Sequence, residues 1–328
     1  MQPFAYAAAA DAAAASAAAL RGAEYIAGGT DMLQLLQERV RRPEEIADVN
    51  GLPLGGITEE PGGALRLGAL VRLQEAADHA ALRQRFAVVA EALDATASPM
   101  VRHMATLGGN LLQRTRCLYF RDVTTPCNKR EPGSGCGAWD GENRHNAILG
   151  GSERCIAVQP SDLPVALIAV DAEVLLRHAD GAEHWVPMED FHLLPTEHPE
   201  IETVLRPGDL ILAIRIPAHA ALRRSHYVKV RDRASFAWAL ASAAVALRTG
   251  DDGRVEEARI AAGGVATKPW RLPQVEQVLL GRRLDAACAA EAAARATEGA
   301  LPRPGNAYKL PMLRAAVERA ILELGGLA

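Results

Sequence analysis

The sequence has little of what marks several large classes of protein. Aromatic residues make up only 4% of its 328 residues, and no uninterrupted run of eighteen apolar residues occurs, so no transmembrane helix is predicted. The formal net charge is −4, which provides no basic field for binding nucleic acid. The G-x-S-x-G nucleophile motif and the H-E-x-x-H zinc motif are also absent. What remains is a globular chain, 49% apolar and long enough for two or three domains.

The alanine-rich start of the chain, residues 5–20, does not match a secretory signal peptide. No basic segment precedes it, and Asp11 and Ser16 interrupt its apolar run. Alanine is the best helix former, so we predict a surface helix here. Export together with a partner that carries a signal stays compatible with this sequence.

Two glycine segments are candidates for binding an anion. Residues 25–36, YIAGGTDMLQLL, predict a strand, a glycine turn and a helix, with a short strand to follow at 45–49. Glycines let the backbone approach a ligand closely, and the first N–H groups of a helix are unpaired. Residues 106–110, TLGGN, predict a second glycine turn. Both turns could contact one diphosphate, although Gly-Gly pairs are also common in ordinary turns.

Four of the five cysteines lie in residues 113–156, where arginine, proline and glycine are frequent and apolar periodicity disappears. They form the pattern C-x9-C-x8-C-x18-C, through Cys117, Cys127, Cys136 and Cys155. Four thiolates can bind one zinc ion or a [4Fe–4S] cluster. Structural zinc sites usually contain close C-x2-4-C pairs, so this spacing favours the cluster, while zinc and uncoordinated thiols stay open. The neighbouring cations that could offset a cluster's charge are Arg114, Arg116, Lys129 and Arg130.

Regular structure is predicted again after residue 160, and two polar residues are candidates there. Asp162 is either an acceptor for ribose hydroxyls or a helix N-cap. Lys229 either faces an anionic cofactor or is an ordinary solvated lysine. The predicted elements are a helix and a strand in 161–178, strands in 204–217, 225–247 and 255–270, and two helices separated by PRPGNAY in 273–328.

Five segments in fixed order resemble the FAD-binding subunit of the xanthine dehydrogenase / molybdenum hydroxylase family. They are YIAGGTDMLQLL, ATLGGNLL, PSDLPVALIAVDAEV, YVKVRDRASFAWALASAAVAL and RIAAGGVATKPWR, and they cover essentially the whole chain. The resemblance implies an α+β fold in two domains. Residues 1–220 would form an FAD-binding domain of the vanillyl-alcohol oxidase (PCMH) type, with two α/β subdomains at 1–52 and 53–220. Residues 221–328 would form a C-terminal α+β domain of the CO dehydrogenase flavoprotein type.

The resemblance also implies which residues hold FAD. The positions that it places against the diphosphate, the ribityl chain and the flavin are Ile26, Ala27, Gly28, Gly29, Thr30, Asp31, Met32, Leu33, Gln34, Thr106, Gly108, Gly109, Asn110, Asp162, Ile211 and Lys229. No clear aromatic residue is available to stack on the flavin, and the nearest candidates are Tyr119 and Phe120.

The cysteine segment is an insertion relative to most such subunits, in which few residues separate GGN from SDL. Two branches of the family carry a [4Fe–4S] cluster in an insertion of this subunit: the bacterial periplasmic aldehyde oxidoreductases and the 4-hydroxybenzoyl-CoA reductases. The run from GGNLLQRTRCLYFRD to TPCNKREPGSGCGAWDGENRHNAI resembles the first branch more closely. The resemblance therefore implies that Cys117, Cys127, Cys136 and Cys155 bind a [4Fe–4S] cluster.

The implied function is electron transfer within a heterotrimer. A large partner would hydroxylate an aldehyde at its molybdenum cofactor, and two [2Fe–2S] clusters of a small partner would pass the electrons to FAD in this chain. An external acceptor would then take them. Co-export with a signal-bearing small subunit implies a periplasmic location, with the cytoplasm as the alternative.

Other functions stay open at the level of sequence. Within the family, the chain could serve an enzyme like xanthine dehydrogenase or 4-hydroxybenzoyl-CoA reductase. A stand-alone FAD oxidoreductase would need acid–base residues of its own, and the sequence shows no such set. A non-enzymatic alternative is a zinc-stapled scaffold that binds a nucleotide and assembles partners without redox turnover.

Overall fold

The first unit of the chain is a three-stranded parallel sheet with two short helices. The computed structural model describes residues 2–327, and the strand order of this sheet is β1-β3-β2. Its elements are β1 (Ala5–Ala8), α1 (Ala12–Leu20), β2 (Glu24–Ile26), α2 (Met32–Gln37) and β3 (Glu45–Asp48). The carboxyl ends of parallel strands share one edge of a sheet, where ligands commonly bind. The first glycine segment follows β2 and therefore lies at that edge.

The alanine-rich start does not form the single helix that its composition predicts. Residues 5–8 are extended and pair in parallel with β3, and α1 begins only at Ala12. The boundary is set by Asp11, whose side chain accepts the N–H of Ala14 at 2.8 Å in the manner of a helix N-cap. Strand pairing and this cap outweigh the helix propensity of alanine.

The second unit is a five-stranded antiparallel sheet with strand order β4-β5-β8-β6-β7, covered by helices. Its strands are β4 (Ile57–Glu59), β5 (Leu65–Gly68), β6 (Glu173–Arg177), β7 (Glu183–Pro187) and β8 (Leu210–Ile216). Its helices are α3 (Leu73–Asp78), α4 (Ala80–Arg85), α5 (Ala87–Asp94), α6 (Pro99–Met104), α7 (Leu107–Leu111), α9 (Leu163–Ala169) and α10 (Met188–Phe191). Phe86, Leu107 and Phe191 are fully buried in the core that these elements share.

The C-terminal unit is a four-stranded antiparallel sheet packed against helices. Its elements are β9 (Arg224–Val230), β10 (Ala241–Thr249), β11 (Val255–Gly263), β12 (Trp270–Arg271), α11 (Pro273–Leu279), α12 (Ala286–Ala294) and α13 (Lys309–Gly325). The tail thus has three α-helices, and the prediction of two is wrong. Asp285 accepts the N–H of Cys288 at 2.7 Å and starts α12 as a separate helix. Nowhere in 2–327 is there a helix with the length and apolar character needed to cross a membrane.

The cysteine-rich segment lies between these units. Throughout 113–156 the only helix is the four-residue α8 (Leu118–Arg121), which agrees with the predicted lack of periodicity. On one side, Arg121 donates to Asp31 at 3.0 Å, and on the other, Asn306 donates to the carbonyl of Ala147 at 3.1 Å. The segment is therefore bonded to the first unit and to the C-terminal unit.

His226 connects the C-terminal unit to the second unit. Its Nδ1 lies 2.8 Å from Oε2 of Glu91 on α5, and its Nε2 lies 2.7 Å from Oε2 of Glu323 on α13. The hydrogen bond with Glu91 and the negative charges of both carboxylates raise the pKa of His226, against an opposing effect of burial. When it is protonated, the ring forms an ion pair with each carboxylate and so stabilises the contact between the two units.

Replacing His226 with glutamine is expected to destabilise the protein more at about pH 6 than at about pH 9. A histidine whose pKa is raised by folding stabilises the fold fully below its unfolded pKa, and this contribution is lost as pH rises through the folded pKa. Thermal unfolding of both proteins at both pH values measures the difference. The exposed His103, replaced in the same way, is the control. An equal loss for His226→Gln at both pH values would contradict this role.

Candidate cofactor-binding site

The first glycine segment lies in direct contact with the residues just before the second. Gly29 has a φ of +70°, a conformation that favours glycine. A Cβ atom on Gly28 would lie 1.9 Å from the carbonyl oxygen of Met104, so no larger residue fits there. Met104 is two residues before Thr106, and the structure thereby brings the two predicted segments together.

The first segment offers a row of unused backbone donors. Among residues 2–327, the N–H groups of Gly28, Gly29, Thr30 and Asp31 donate no hydrogen bond. Successive unpaired N–H groups in a turn form a concave site for an anion such as a phosphate. The other predicted contact residues flank this turn: Ile26 ends β2, Ala27 follows it, and Met32, Leu33 and Gln34 begin α2. The geometry fits the predicted diphosphate site.

The second segment differs from the predicted glycine turn, because Leu107–Leu111 form helix α7. Thr106 caps this helix, and its hydroxyl accepts the N–H of Gly109 at 3.3 Å. The N–H of Gly108 donates to the carbonyl of Ala69 at 2.8 Å, and that of Asn110 donates to the carbonyl of Thr106. The backbone donors of these residues are thus already used, and they do not form a second amide cradle.

The second segment can still contribute a side chain to a ligand. Asn110 accepts a hydrogen bond from the hydroxyl of Ser161 at 2.5 Å, while its own Nδ2 has no acceptor within the described chain. Gly108 serves packing, since a Cβ there would lie 3.1 Å from the Cβ of Ala69. The Nδ2 group of Asn110 is therefore the side-chain donor of this segment that is left for a ligand, while the Thr106 hydroxyl is buried at the cap of α7.

Asp162 and Lys229 form a buried ion pair. Their side chains are 2% and 3% exposed, and Nζ of Lys229 lies 2.7 Å from Oδ2 of Asp162. Tyr227 donates its hydroxyl to Oδ1 of Asp162 at 2.7 Å, and Lys229 also donates to the carbonyl of Ala95. Lys229 is therefore not a solvated lysine. The side chain of Asp162 does not cap its helix either, because it makes no hydrogen bond to it. A ribityl hydroxyl would have to share Asp162 with these donors.

Replacing Lys229 with methionine is expected to destabilise the protein by about 3–5 kcal/mol, because Asp162 would remain buried without its counter-charge. Urea denaturation of the two proteins measures the change. Adding Asp162→Asn to the variant removes the unpaired charge and is expected to restore part of the loss. If the single and double variants unfold at the same urea concentration as the wild type, the ion pair does not stabilise this fold.

Ile211 and the predicted aromatic candidates occupy apolar surroundings. Ile211 lies on β8 in the core that also contains Leu107. Phe120 is 1% exposed, and the Tyr119 ring packs against Gly137 while its hydroxyl accepts the N–H of Glu142 at 2.7 Å. Both aromatic rings are thus engaged within the cysteine segment, so neither is free to stack on a flavin.

The structure brings all four predicted cysteine ligands around one cavity. The cavity is lined by Cys117, Cys127, Cys136 and Cys155, together with Phe120, Asn146 and Lys129. Residues 127 and 136 face each other as an antiparallel bridge, although eight residues separate them. Cys288 lies elsewhere, buried in α12, as predicted.

The thiols do not form a ready-made site for a single metal ion. Among the described residues, no three His, Cys, Asp or Glu side chains are close enough together to hold one metal ion. Zinc draws its four ligands to about 2.3 Å from one centre, whereas the ligands of a [4Fe–4S] cluster each bind a different iron and lie farther apart. The four cysteines around this cavity supply the number of thiolates that either group needs.

Burial disfavours the thiolate form of three of these cysteines. Burial raises the pKa of Cys127 and of Cys136, and it raises the pKa of Cys155 to about 12. Metal ligands must be thiolates, so binding of a metal here would release protons.

The predicted cations near the cysteines are paired with other groups. Lys129 lines the cavity, and its Nζ lies 2.8 Å from Glu202, which also lies 2.5 Å from Nε of Arg114. Burial alone would raise the pKa of Glu202, but the positive charges of Arg114 and Lys129 lower it overall. Arg130 donates to the carbonyls of Tyr119 and Phe120.

Sequence reasoning missed the partners of Asp31. Arg116 and Arg121 both contact its carboxylate, and the backbone N–H of Arg114 donates to it at 2.8 Å. One signal was present: residues 107–121 contain three arginines and no acidic residue, so these cations need a carboxylate from elsewhere. Trp238 packs on one of these cations, with its ring centroid 4.4 Å from the guanidinium of Arg116.

Comparison with known proteins is consistent with this geometry. The family model described as the FAD binding domain in molybdopterin dehydrogenase matches residues 2–219, and the CO dehydrogenase flavoprotein C-terminal domain matches residues 226–324. The predicted fold class is thereby confirmed.

Relatives and solved structures agree with the family matches. The chain is 47% identical over 268 residues to the aldehyde oxidoreductase FAD-binding subunit PaoB of Escherichia coli (strain K12), which covers 81% of this chain and 82% of that protein. It is 28% identical to the carbon monoxide dehydrogenase medium chain of Hydrogenophaga pseudoflava, over 91% of this chain and 88% of the relative. A solved structure of carbon monoxide dehydrogenase from the same organism matches all of both chains with a TM-score of 0.77 and 26% identity. This chain therefore belongs to the family of FAD-binding subunits of the molybdenum hydroxylases, oxidoreductases whose molybdenum site lies on another chain.

Proposed function

We propose that this chain is the FAD- and [4Fe–4S]-carrying electron-transfer subunit of a molybdenum-dependent aldehyde oxidoreductase. In this proposal it takes electrons from the [2Fe–2S] clusters of a small partner and delivers them to an external acceptor, while a large partner holds the molybdenum cofactor. The observation that carries the proposal is the cavity lined by four cysteines inside a chain of the FAD-subunit family. The 47% identity to an aldehyde oxidoreductase subunit supports the substrate class.

The residues of this chain would bind and orient FAD and the [4Fe–4S] cluster. The unpaired N–H groups of Gly28–Asp31 would hold the diphosphate, and Asn110 would add a side-chain donor from the facing segment. The Asp162–Lys229 pair joins the start of α9 to β9 of the C-terminal unit, beside Ser161, which is bonded to Asn110. Bound FAD supplies the exchange of electrons one or two at a time, and the protein fixes its position.

The cysteines would supply the four thiolates of the cluster. All four line the cavity, and none is in a disulfide. Asn146 lies 3.6 Å from Sγ of Cys117, and the N–H of Ala157 lies 3.4 Å from Sγ of Cys155. Hydrogen bonds to the sulfurs are among the factors that set the potential of an iron–sulfur cluster.

The domain division and the compartment are parts of the same proposal. We place the FAD-binding domain at 1–220, with the iron–sulfur insertion at about 113–156, and the C-terminal domain at 221–328. Family matches to 2–219 and 226–324 support this division. Co-export with a signal-bearing small subunit would place the protein in the periplasm.

The test is a visible absorption spectrum of the anaerobically purified chain, with flavin, iron and zinc quantified. The proposal predicts flavin bands and about four irons per chain. Flavin with one zinc and no iron would keep the family assignment and refute the cluster. A folded chain that binds neither flavin nor iron when both are supplied would refute the proposed function as a whole.

A further inference from the structure

Asp31 joins the first glycine segment to the segment that contains Cys117. Its Oδ2 accepts the backbone N–H of Arg114 at 2.8 Å, and its Oδ1 lies 2.8 Å from Arg116 and 3.0 Å from Arg121. Three donors thus converge on one carboxylate, and two of them carry a full positive charge. Hydrogen bonds between charged partners are roughly twice as strong as neutral ones.

Side chains at the end of the first glycine segment and along α2 bind the cysteine segment instead of capping α2. Asp31 occupies the N-cap position of α2, yet its side chain makes no capping hydrogen bond. Gln34, one turn further along α2, accepts a hydrogen bond from Arg116 at 2.8 Å. Arg121 also contacts Glu38 at 2.9 Å, just beyond α2. Two arginines therefore fix three side chains of the first unit.

These contacts are partly shielded from water. The side chains of Asp31, Arg121 and Arg116 are 16%, 11% and 21% exposed. The Trp238 ring covers the guanidinium of Arg116 at 4.4 Å. Ion pairs in such surroundings are less screened than those on an open surface. We call Asp31, Gln34, Arg114, Arg116 and Arg121 the Asp31 network.

We propose that the Asp31 network couples FAD binding to metal ligation at the cysteines, with Arg116 as the positioning residue. The inference rests on the proposed function, because it takes FAD at Gly28–Asp31 and a metal group at the four cysteines. Arg116 directly precedes Cys117, so a ligand bond at Cys117 fixes the backbone that carries its guanidinium. The guanidinium in turn fixes Asp31, the last residue of the diphosphate turn.

These positions imply that metal bound at the cysteines strengthens the binding of FAD. When the cysteines bind metal, residues 114–121 are held and the turn at Gly28–Asp31 is preformed, so FAD binds without ordering the turn. When metal is lost, the arginines are released and FAD must order the turn itself, which weakens its binding. Coupling between two binding sites is reciprocal, so bound FAD should also slow the loss of iron from the cysteines.

The test is a double-variant cycle on the full chain with Arg116→Gln and Cys127→Ser. FAD is titrated into flavin-free protein and followed by quenching of its fluorescence, with iron and the thermal midpoint measured in every sample. Arg116→Gln is expected to raise the Kd for FAD roughly tenfold, within the usual range of coupling between sites, and to leave iron content unchanged. Cys127→Ser, which removes a metal ligand, is expected to raise the Kd for FAD by a similar factor.

The decisive result is the double variant. Because both changes disconnect the same path, their effects should not add, and the double variant should bind FAD about as well as either single variant. Arg116→Lys keeps the charge and is expected to recover part of the affinity. The matched control is Arg154→Gln, since Arg154 also lines the cavity and directly precedes a cysteine, Cys155, but is exposed and is not among the partners of Asp31. Its Kd should stay within about twofold of wild type.

The outcomes separate the inference from the proposed function. Iron in the wild type together with additive losses of FAD affinity would refute the coupling and leave the cluster in place. An unchanged Kd in a folded Arg116→Gln variant would refute the role of Arg116. A wild-type chain that binds FAD but no metal would refute the cluster, and the coupling with it. If Arg116→Gln does not fold, Arg121→Gln replaces it in the same cycle.

Discussion

Replacing Gly28 with alanine is expected to weaken FAD binding by about a hundredfold. The added methyl carbon would lie 1.9 Å from the carbonyl oxygen of Met104, which is backbone and cannot rotate away. The glycine turn or the end of α6 must then shift. Overpacking of this kind costs up to about 3 kcal/mol, which corresponds to about a hundredfold in affinity when the strained segment is the binding site.

Titration of FAD into the flavin-free Gly28→Ala variant measures this effect, and circular dichroism shows whether the fold is retained. The matched control is Gly51→Ala in the same unit. A Cβ at Gly51 meets no atom within 4 Å, and this glycine is not in a positive-φ conformation. Its affinity for FAD should equal that of the wild type. Tight FAD binding by Gly28→Ala would mean that the diphosphate lies elsewhere.

Replacing Cys155 with serine is expected to reduce the iron content from about four atoms per chain to fewer than one, because a cubane cluster is rarely stable with a ligand missing. Metal binding stabilises the folded state, so the thermal midpoint should also fall. This fall should be present in iron-loaded protein and nearly absent when wild type and variant are both stripped of metal. Iron analysis and thermal unfolding of all four samples check both statements.

Cys288 provides the control for this prediction. It is buried to the same degree as Cys155, at 1% against 4% exposed, but it lies in α12 of the C-terminal unit. Cys288→Ser should therefore keep its iron and lose a similar, small amount of stability with and without metal. Iron retained in full by Cys155→Ser would remove this residue from the ligand set.

The parts of the site that the sequence predicted are those determined by local chemistry. The YIAGGTD turn needs glycine at two positions for reasons that hold within a few residues, namely close approach and a positive φ. The four cysteines were recognisable because an irregular segment with four thiols has few other uses. Family resemblance extended these local signals to the whole fold.

The parts that the sequence did not predict depend on tertiary partners. TLGGN has the composition of a turn, yet it forms α7 because Ala69 accepts the N–H of Gly108 and Thr106 caps the helix. The alanine run would favour a helix throughout, but pairing with β3 holds residues 5–8 extended. Asp31 was predicted beside the diphosphate, and nothing nearby in sequence indicated the arginines 83 to 90 positions away that contact its carboxylate.

The bonds between the cysteine segment and its flanks limit how such an insertion could be gained or lost in evolution. Deleting residues 113–156 would remove Lys129 and Arg114, and the half-buried Glu202 would then keep its charge without a counter-charge. It would also remove the carbonyls of Asn146 and Ala147 that pair with fully buried Asn306. A lineage that discarded the insertion would need compensating substitutions at Asp31, Glu202 and Asn306. In shorter members of the family, these three positions are where the residues should differ together.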